Sequence, residues 1–205
     1  MRNILLTHPL SDGKEKIDTL LLRDGDEVVA SDFLYQDIDG IEARAQALIA
    51  SLSGLPEASV RKLRGPDYFS AKNAAFEIMG NLIIENDTLP VEPSLTLSLQ
   101  VPVPVGSHGR TISSLNFREH TLAEDYLGMD VDGAVMRAMT MIASFTNTDI
   151  SIIRRISGAD FLAADKKTSA IMDADRGFDT PIEDGDSGED TDPKKDDAGS
   201  DAPSS

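Results

Sequence analysis

The sequence predicts an α+β fold: two tandem repeats of a β-hairpin followed by three or four short helices, with a disordered acidic C-terminal tail. Three observations predict it. Residues 32–54, DFLYQDIDGIEARAQALIASLSG, return as residues 125–147, DYLGMDVDGAVMRAMTMIASFTN, at an offset of 93 with no gap. Carried on to Met79 and Met172, the copies agree at 16 of 48 positions, several times the chance level, so a supersecondary unit has been duplicated. Each copy is preceded by two apolar segments separated by Gly-containing turn residues, as in a hairpin. The 33 residues from Asp173 hold 12 acidic and 3 basic residues and almost nothing apolar after Ile182. Such a segment buries too little surface to offset its ordering entropy, so disorder is expected from about Asp175.

These features divide the chain into a first unit (1–80), a linker bracketed by Pro90 and Pro93 (81–95), a second unit (96–173) and the tail (174–205). In the first unit, residues 3–8 read as a strand, residues 9–13 as a turn and residues 16–23 as the return strand. The second unit repeats them at an offset of 95, with a strand over 96–105, a turn over 106–109 and a strand over 111–118. On that offset Pro9 matches Pro104, Ile17 matches Ile112, Leu20 matches Leu115 and Arg23 matches Arg118. A short helix or turn follows near 32–35. The next helix has Asp39 as its cap and Glu42 three residues on, the capping-box spacing. Its apolar stripe is Ile41, Ala45, Leu48, Ile49 and Leu52, and Gly54 stops it. The copy carries Ala134, Ala138, Met141, Ile142 and Phe145. A third helix covers about 56–63 with Val60 and Leu63 inward. A fourth starts at Pro66 and Asp67 and runs to Met79, echoed by Asp160, Phe161, Ile171 and Met172.

Composition narrows the function. The chain has no Cys, which excludes disulfides, thiolate metal sites and Cys nucleophiles. A net charge of -17 disfavours nucleic acid as a partner, since DNA and RNA carry the same sign. No window has the apolar length of a membrane span. The DxDG sets Asp37/Asp39/Gly40 and Asp130/Asp132/Gly133 lack the further oxygen ligands of a calcium loop and read as helix caps. His8, His108 and His120 belong to no catalytic pattern and read as surface or turn residues. GSHG at 106–109 lacks the Lys of a phosphate loop. No catalytic, cofactor or metal site is expected, and the protein reads as a non-enzyme. The remaining signal is methionine. Met129, Met136, Met139, Met141 and Met172 lie in the second unit, and Met136 and Met139 fall off the stripe that carries Met141. They stand where the first unit has Ala43 and Gln46, so they are candidates for an adaptable surface that takes an apolar helix. Burial against the first unit or a second copy is the other reading.

The order of features resembles the phage tail assembly chaperones of Mu-like and P2-like contractile-tailed phages and prophages. The residues concerned are HPLSDGKEKIDTLLLR, SDFL, QALIASLSGLPEASVRKL and GPDYFSAKNAAFEIM. In the second unit they are VPVGSHGRTISSLNFREHTLAED and MIASFTNTDISIIRRISGADF. Arg118, Glu119, Thr121 and Asp125 fall at the family's Arg-Glu-x-Thr connector, where the first unit instead has RDGDEVVASD. The resemblance implies a non-enzymatic protein of the host cytoplasm. It would bind the tape measure protein and assist tail tube assembly, with the tube protein as a further partner; a homo-oligomer is compatible with the sequence. A minor tail or baseplate protein retained in the virion is the alternative.

Overall fold

The computed structural model describes residues 1–12, 15–91, 93–106 and 109–175. Each half begins with an antiparallel hairpin, β1 (Arg2–Asp12) with β2 (Glu15–Leu22) and β3 (Thr96–Val105) with β4 (Arg110–Asn116). Both first strands carry a wide bulge. Leu5 pairs with Thr19 and Leu10 with Ile17, so residues 6–9 face Asp18 alone; Ser98 and Val103 flank the same bulge in the second hairpin. This register corrects the offset expected for the first strands. β1 and β3 correspond at 93, not 95, so Pro9 matches Pro102 and not Pro104. The buried Leu6 and Leu10 of β1 correspond to the buried Leu99 and Val103 of β3. The second unit has two more residues in its hairpin turn, and the first has two more in the connector after β2. The strand also continues through Pro9 instead of turning there. A bulge leaves ladder positions unpaired, so the missing N–H of proline costs nothing.

The bulges are held from the helices. The Asp67 carboxylate accepts the amides of Thr7 (2.9 Å) and His8 (3.1 Å) and the Thr7 hydroxyl (2.8 Å). The Thr7 amide is the main influence that lowers the Asp67 pKa. Asp160 does the same for the Gln100 amide at 3.1 Å.

After β2 come 3-10 turns over Gly25–Glu27 and Ala30–Asp37, then α1 (Ile41–Ser53), α2 (Glu57–Val60) and α3 (Gly65–Asp87). After β4 come a 3-10 turn over Ala123–Asp130, then α4 (Ala134–Thr146), α5 (Ile150–Ile153) and α6 (Gly158–Asp175). The α1 stripe is buried at Ala45, Leu48, Ile49 and Leu52, whereas Ile41 is 67% exposed. Asp39 does not cap α1; the cap residue is Gly40 at φ 88 and no side chain bonds to it.

Two boundaries differ from expectation. α3 runs on to Asp87, so residues 81–87 are helix and not linker; Leu82 and Asn86 are buried there, and Lys166 donates to the Asn86 carbonyl at 2.7 Å. α6 runs to Asp175, whose carboxylate accepts the Thr121 amide at 2.5 Å and meets His120 at 3.0 Å. The expected disorder of the tail concerns residues 176–205, outside the described residues, as do Ser107 and His108 of GSHG.

Each half is tied by the same buried network. Arg23 donates to Asp32 at 2.6 Å and to the Ser51 carbonyl at 3.0 Å, Ser51 donates to Asp32 at 2.5 Å, and the Val29 amide donates to its other oxygen at 2.8 Å. Arg118, Asp125, Ser144 and the Leu122 amide repeat this with 2.6, 2.5 and 2.7 Å contacts to the carboxylate. Burial opposes ionisation of Asp125 most strongly, yet the hydrogen bonds from Ser144, Leu122 and Arg118 together hold its carboxyl below the usual range.

Asp32→Ala removes the carboxylate that, among the described residues, pairs with the half-buried Arg23, and should cost about 3 kcal/mol in a urea titration. Both halves are expected to unfold in the same transition, since they share one core. His120 and Asp175 give a pH test. Their contact raises the His120 pKa above 6.5 and, together with the Thr121 amide, lowers that of Asp175 to about 2. The ion pair is therefore complete above the ordinary carboxylate pKa and below 6.5. It is lost as pH rises through the raised histidine value or falls through about 2. In an NMR titration, Asp175→Asn should return His120 to an ordinary pKa.

Candidate interaction surfaces

The two units dock on each other asymmetrically. The first unit presents residues 28–37, and the second receives them on α4 and on the loop between α5 and α6. Gly158 donates to the Val28 carbonyl at 2.7 Å, Ala30 to Ile156 at 3.0 Å and Ser31 to Arg154 at 3.1 Å, around an antiparallel bridge of Val29 with Ser157. Phe33 packs against Phe161 in a tilted arrangement, with 5.3 Å between ring centres. A Cβ at Gly158 would stand 2.7 Å from Leu82, 2.9 Å from Val28 and 3.2 Å from Phe33, so a larger residue would have to push these side chains aside. Asp37 then caps α4, accepting the amides of Val135 and Met136 at 3.0 Å each. Its carboxyl lies where a Cβ on Gly133 would stand, which fixes glycine at that position together with its φ of 87. The cap expected within the second DxDG motif is thus made from the first unit, by Asp37 instead of Asp132, whereas the first motif gives α1 no side-chain cap. Among the described residues no cluster of three His, Asp or Glu could hold a metal. His8 lies exposed in the β1 bulge and His120 on the surface beside Asp175.

The same docking settles the methionines. Met139 is 0% exposed and Met136 is half-buried against the core, with the Arg154 guanidinium 3.6 Å from its sulfur. Residues 30–37 pack over α4, and the fully buried Met139 is not available to an outside helix. The expectation of a free docking surface is therefore corrected at Met139, while Met136 stays partly exposed beside Arg154. The pattern did carry the right signal. Glu42 and Gln46 of α1 become the buried Val135 and Met139 of α4, a change from polar to apolar that marks a covered face on one helix only.

Two other surfaces are open. The first is a cleft of about 980 Å³ between α3 and the edge where β3 meets α6. Ile78, Leu82, Leu89 and Val101 line it together with the acidic Asp24, Asp26, Glu77 and Glu85. Arg2 also lines the cleft and is engaged with Glu77 at 2.7 Å. Sequence reasoning missed this cleft because it lies across the junction of the units. The second surface is the 3-10 turn Ala123–Asp130, the counterpart of Ala30–Asp37. There Leu122, Tyr126, Leu127 and Met129 are exposed, Leu127 to 69%.

Compared with known protein families, curated proteins and solved structures, the chain matches none. No described helix is long and apolar enough to cross a membrane.

Met139→Gln places an amide in a fully covered position and should cost about 2 kcal/mol of stability, read from the urea midpoint. Met139→Leu keeps volume and apolarity and should cost less than half as much.

Proposed function

We propose that the protein is a tail-assembly-chaperone-like binding protein that holds an amphipathic helix of a tape measure protein and helps tail tube assembly. The observation that carries this reading is the cleft between α3 and β3, whose lining combines the apolar Ile78, Leu82, Leu89 and Val101 with the acidic Asp24, Asp26, Glu77 and Glu85. A groove that mixes apolar and acidic groups suits a helix with an apolar stripe flanked by Lys or Arg. Leu89 and Val101 stand 57% and 55% exposed at its wall, which is apolar surface available to a ligand helix. The order of sequence features shared with tail assembly chaperones supports the choice of ligand. A tape measure protein is a long helical chain whose apolar stripes need cover until the tube encloses them. The net charge of -17 opposes aggregation of the loaded complex.

Co-purification with tape measure fragments tests this. The double substitution Leu89→Asp and Val101→Asp removes exposed groups only, so the fold should be intact and capture should fall at least about tenfold, as expected for two buried contacts. Undiminished capture would remove the cleft from consideration. Mass spectrometry of purified particles should find the protein absent; its retention in them would favour a structural tail component.

A further inference from the structure

We propose that the chain associates head-to-tail with a second copy of itself, the turn Ala123–Asp130 of one molecule docking on α1 and the α2–α3 loop of the next. The inference does not rest on the cleft reading. Its template is the junction inside the chain. Among the described residues that junction is heterologous: it is built from the first unit's turn and the second unit's receiving face, and the first unit's receiving face and the second unit's turn take no part in it. Since the two units are copies, each molecule keeps one unused member of each complementary pair.

The unused faces correspond residue by residue to the used ones. On the turn, Val29, Ser31, Phe33 and Asp37 become Leu122, Glu124, Tyr126 and Asp130. Phe33 is 1% exposed, and its counterpart Tyr126 is 38% exposed. On the receiving face, Gly133, Arg154, Ser157 and Phe161 become Gly40, Arg61, Arg64 and Tyr68. Gly40 keeps the φ of Gly133, 88 against 87, although nothing lies within 4 Å of where its Cβ would be. α1 keeps the same start as α4 but has no side-chain cap, and Asp130 is exposed and free to supply one as Asp37 does. The Ser31 amide donates to the Arg154 carbonyl, so the equivalent contact sets Glu124 beside Arg61.

Charge says which copy the exposed turn accepts. The turn and its flanks carry Glu119, Glu124, Asp130 and Asp132, and the opposite receiving face carries Arg61, Lys62 and Arg64 beside Glu42 and Glu57, with Arg61 paired to Glu57 at 3.1 Å at the surface. Opposite signs at opposite ends favour head-to-tail contact and disfavour turn-to-turn pairing. The external contact is more polar than the internal one. Val135, Met139 and Ser157 are replaced by Glu42, Gln46 and Arg64, and Glu42 is held by Lys72 and Tyr68 at 2.5 Å each. It should therefore be reversible and sensitive to salt, since its ion pairs lie at the surface.

Sedimentation velocity of the full-length chain at low salt tests the proposal, with circular dichroism as the check on fold. The wild type should show mass rising with concentration beyond a dimer. Glu124→Arg and Arg61→Glu, each alone, should raise the concentration for half-association by about tenfold. A mixture of the two variants should recover association beyond a dimer, with the variants alternating, because two of the four possible end pairings have opposite charges and both join unlike variants. A wild type that is monomeric at every concentration would overturn the proposal. So would association that neither variant weakens, or a mixture that behaves as the separate variants do.

Discussion

The structure depends on two buried carboxylates, Asp32 and Asp125, each placed where a hairpin, a 3-10 turn and a helix meet. A carboxylate taken out of water is stable only when its lone pairs are filled. Asp32 achieves this with Arg23 from the strand end, Ser51 from the last turn of α1, and its own turn's Val29 amide. The backbone joins in, with the Arg23 amide donating to Leu52 at 2.9 Å and the Arg118 amide to Phe145 at 3.1 Å. One charged group thus sets the angle between three elements, and the turn leaves with its apolar side facing outward. That outward side is the surface that docks on the other unit.

The copies satisfy this constraint unequally. The longer connector of the first unit brings the Glu27 carbonyl to within 3.0 Å of the second Arg23 nitrogen. The second unit lacks those two residues, and Arg118 is left with one buried nitrogen without a hydrogen-bond partner among the described residues. The Phe145 ring, 5.6 Å from its guanidinium carbon, gives partial compensation. The length difference that shifts the repeat offset is therefore also a difference in how well the network is satisfied.

Much of this was legible in the sequence, and the failures share a cause. The duplication, the hairpins, the stripe Leu48, Ile49 and Leu52 and the inward Val60 follow from local periodicity, which is a property of one element at a time. The strand offset failed because two compensating insertions, one in the turn and one in the connector, hide each other unless the burial of Leu99 and Val103 is known. The ends of α3 and α6 failed because Asn86 and Asp175 are held by residues 80 and 55 positions away. Met139 was ambiguous because a helix that is apolar on a second face looks the same whether a ligand or the protein itself covers that face.

The asymmetry of the junction also explains where the copies have diverged. Once a duplicated unit docks on its twin, four faces that began as two pairs come under different demands. The used turn and the used receiving face must exclude water, so Phe33, Val135, Met139 and Phe161 are apolar and buried. The unused receiving face has become polar at Glu42, Gln46 and Arg64, as the end of a stacked array must when it meets solvent. The unused turn has not followed. It keeps Leu122, Leu127 and Met129 exposed, with Met129 standing where the covered turn has Gln36. Apolar groups exposed on the turn with acidic residues around them, opposite a face that carries basic residues, are the pattern expected of a surface that is covered part of the time. A face that always met water would have no use for Leu127, and a face that was always covered would have no use for Glu124.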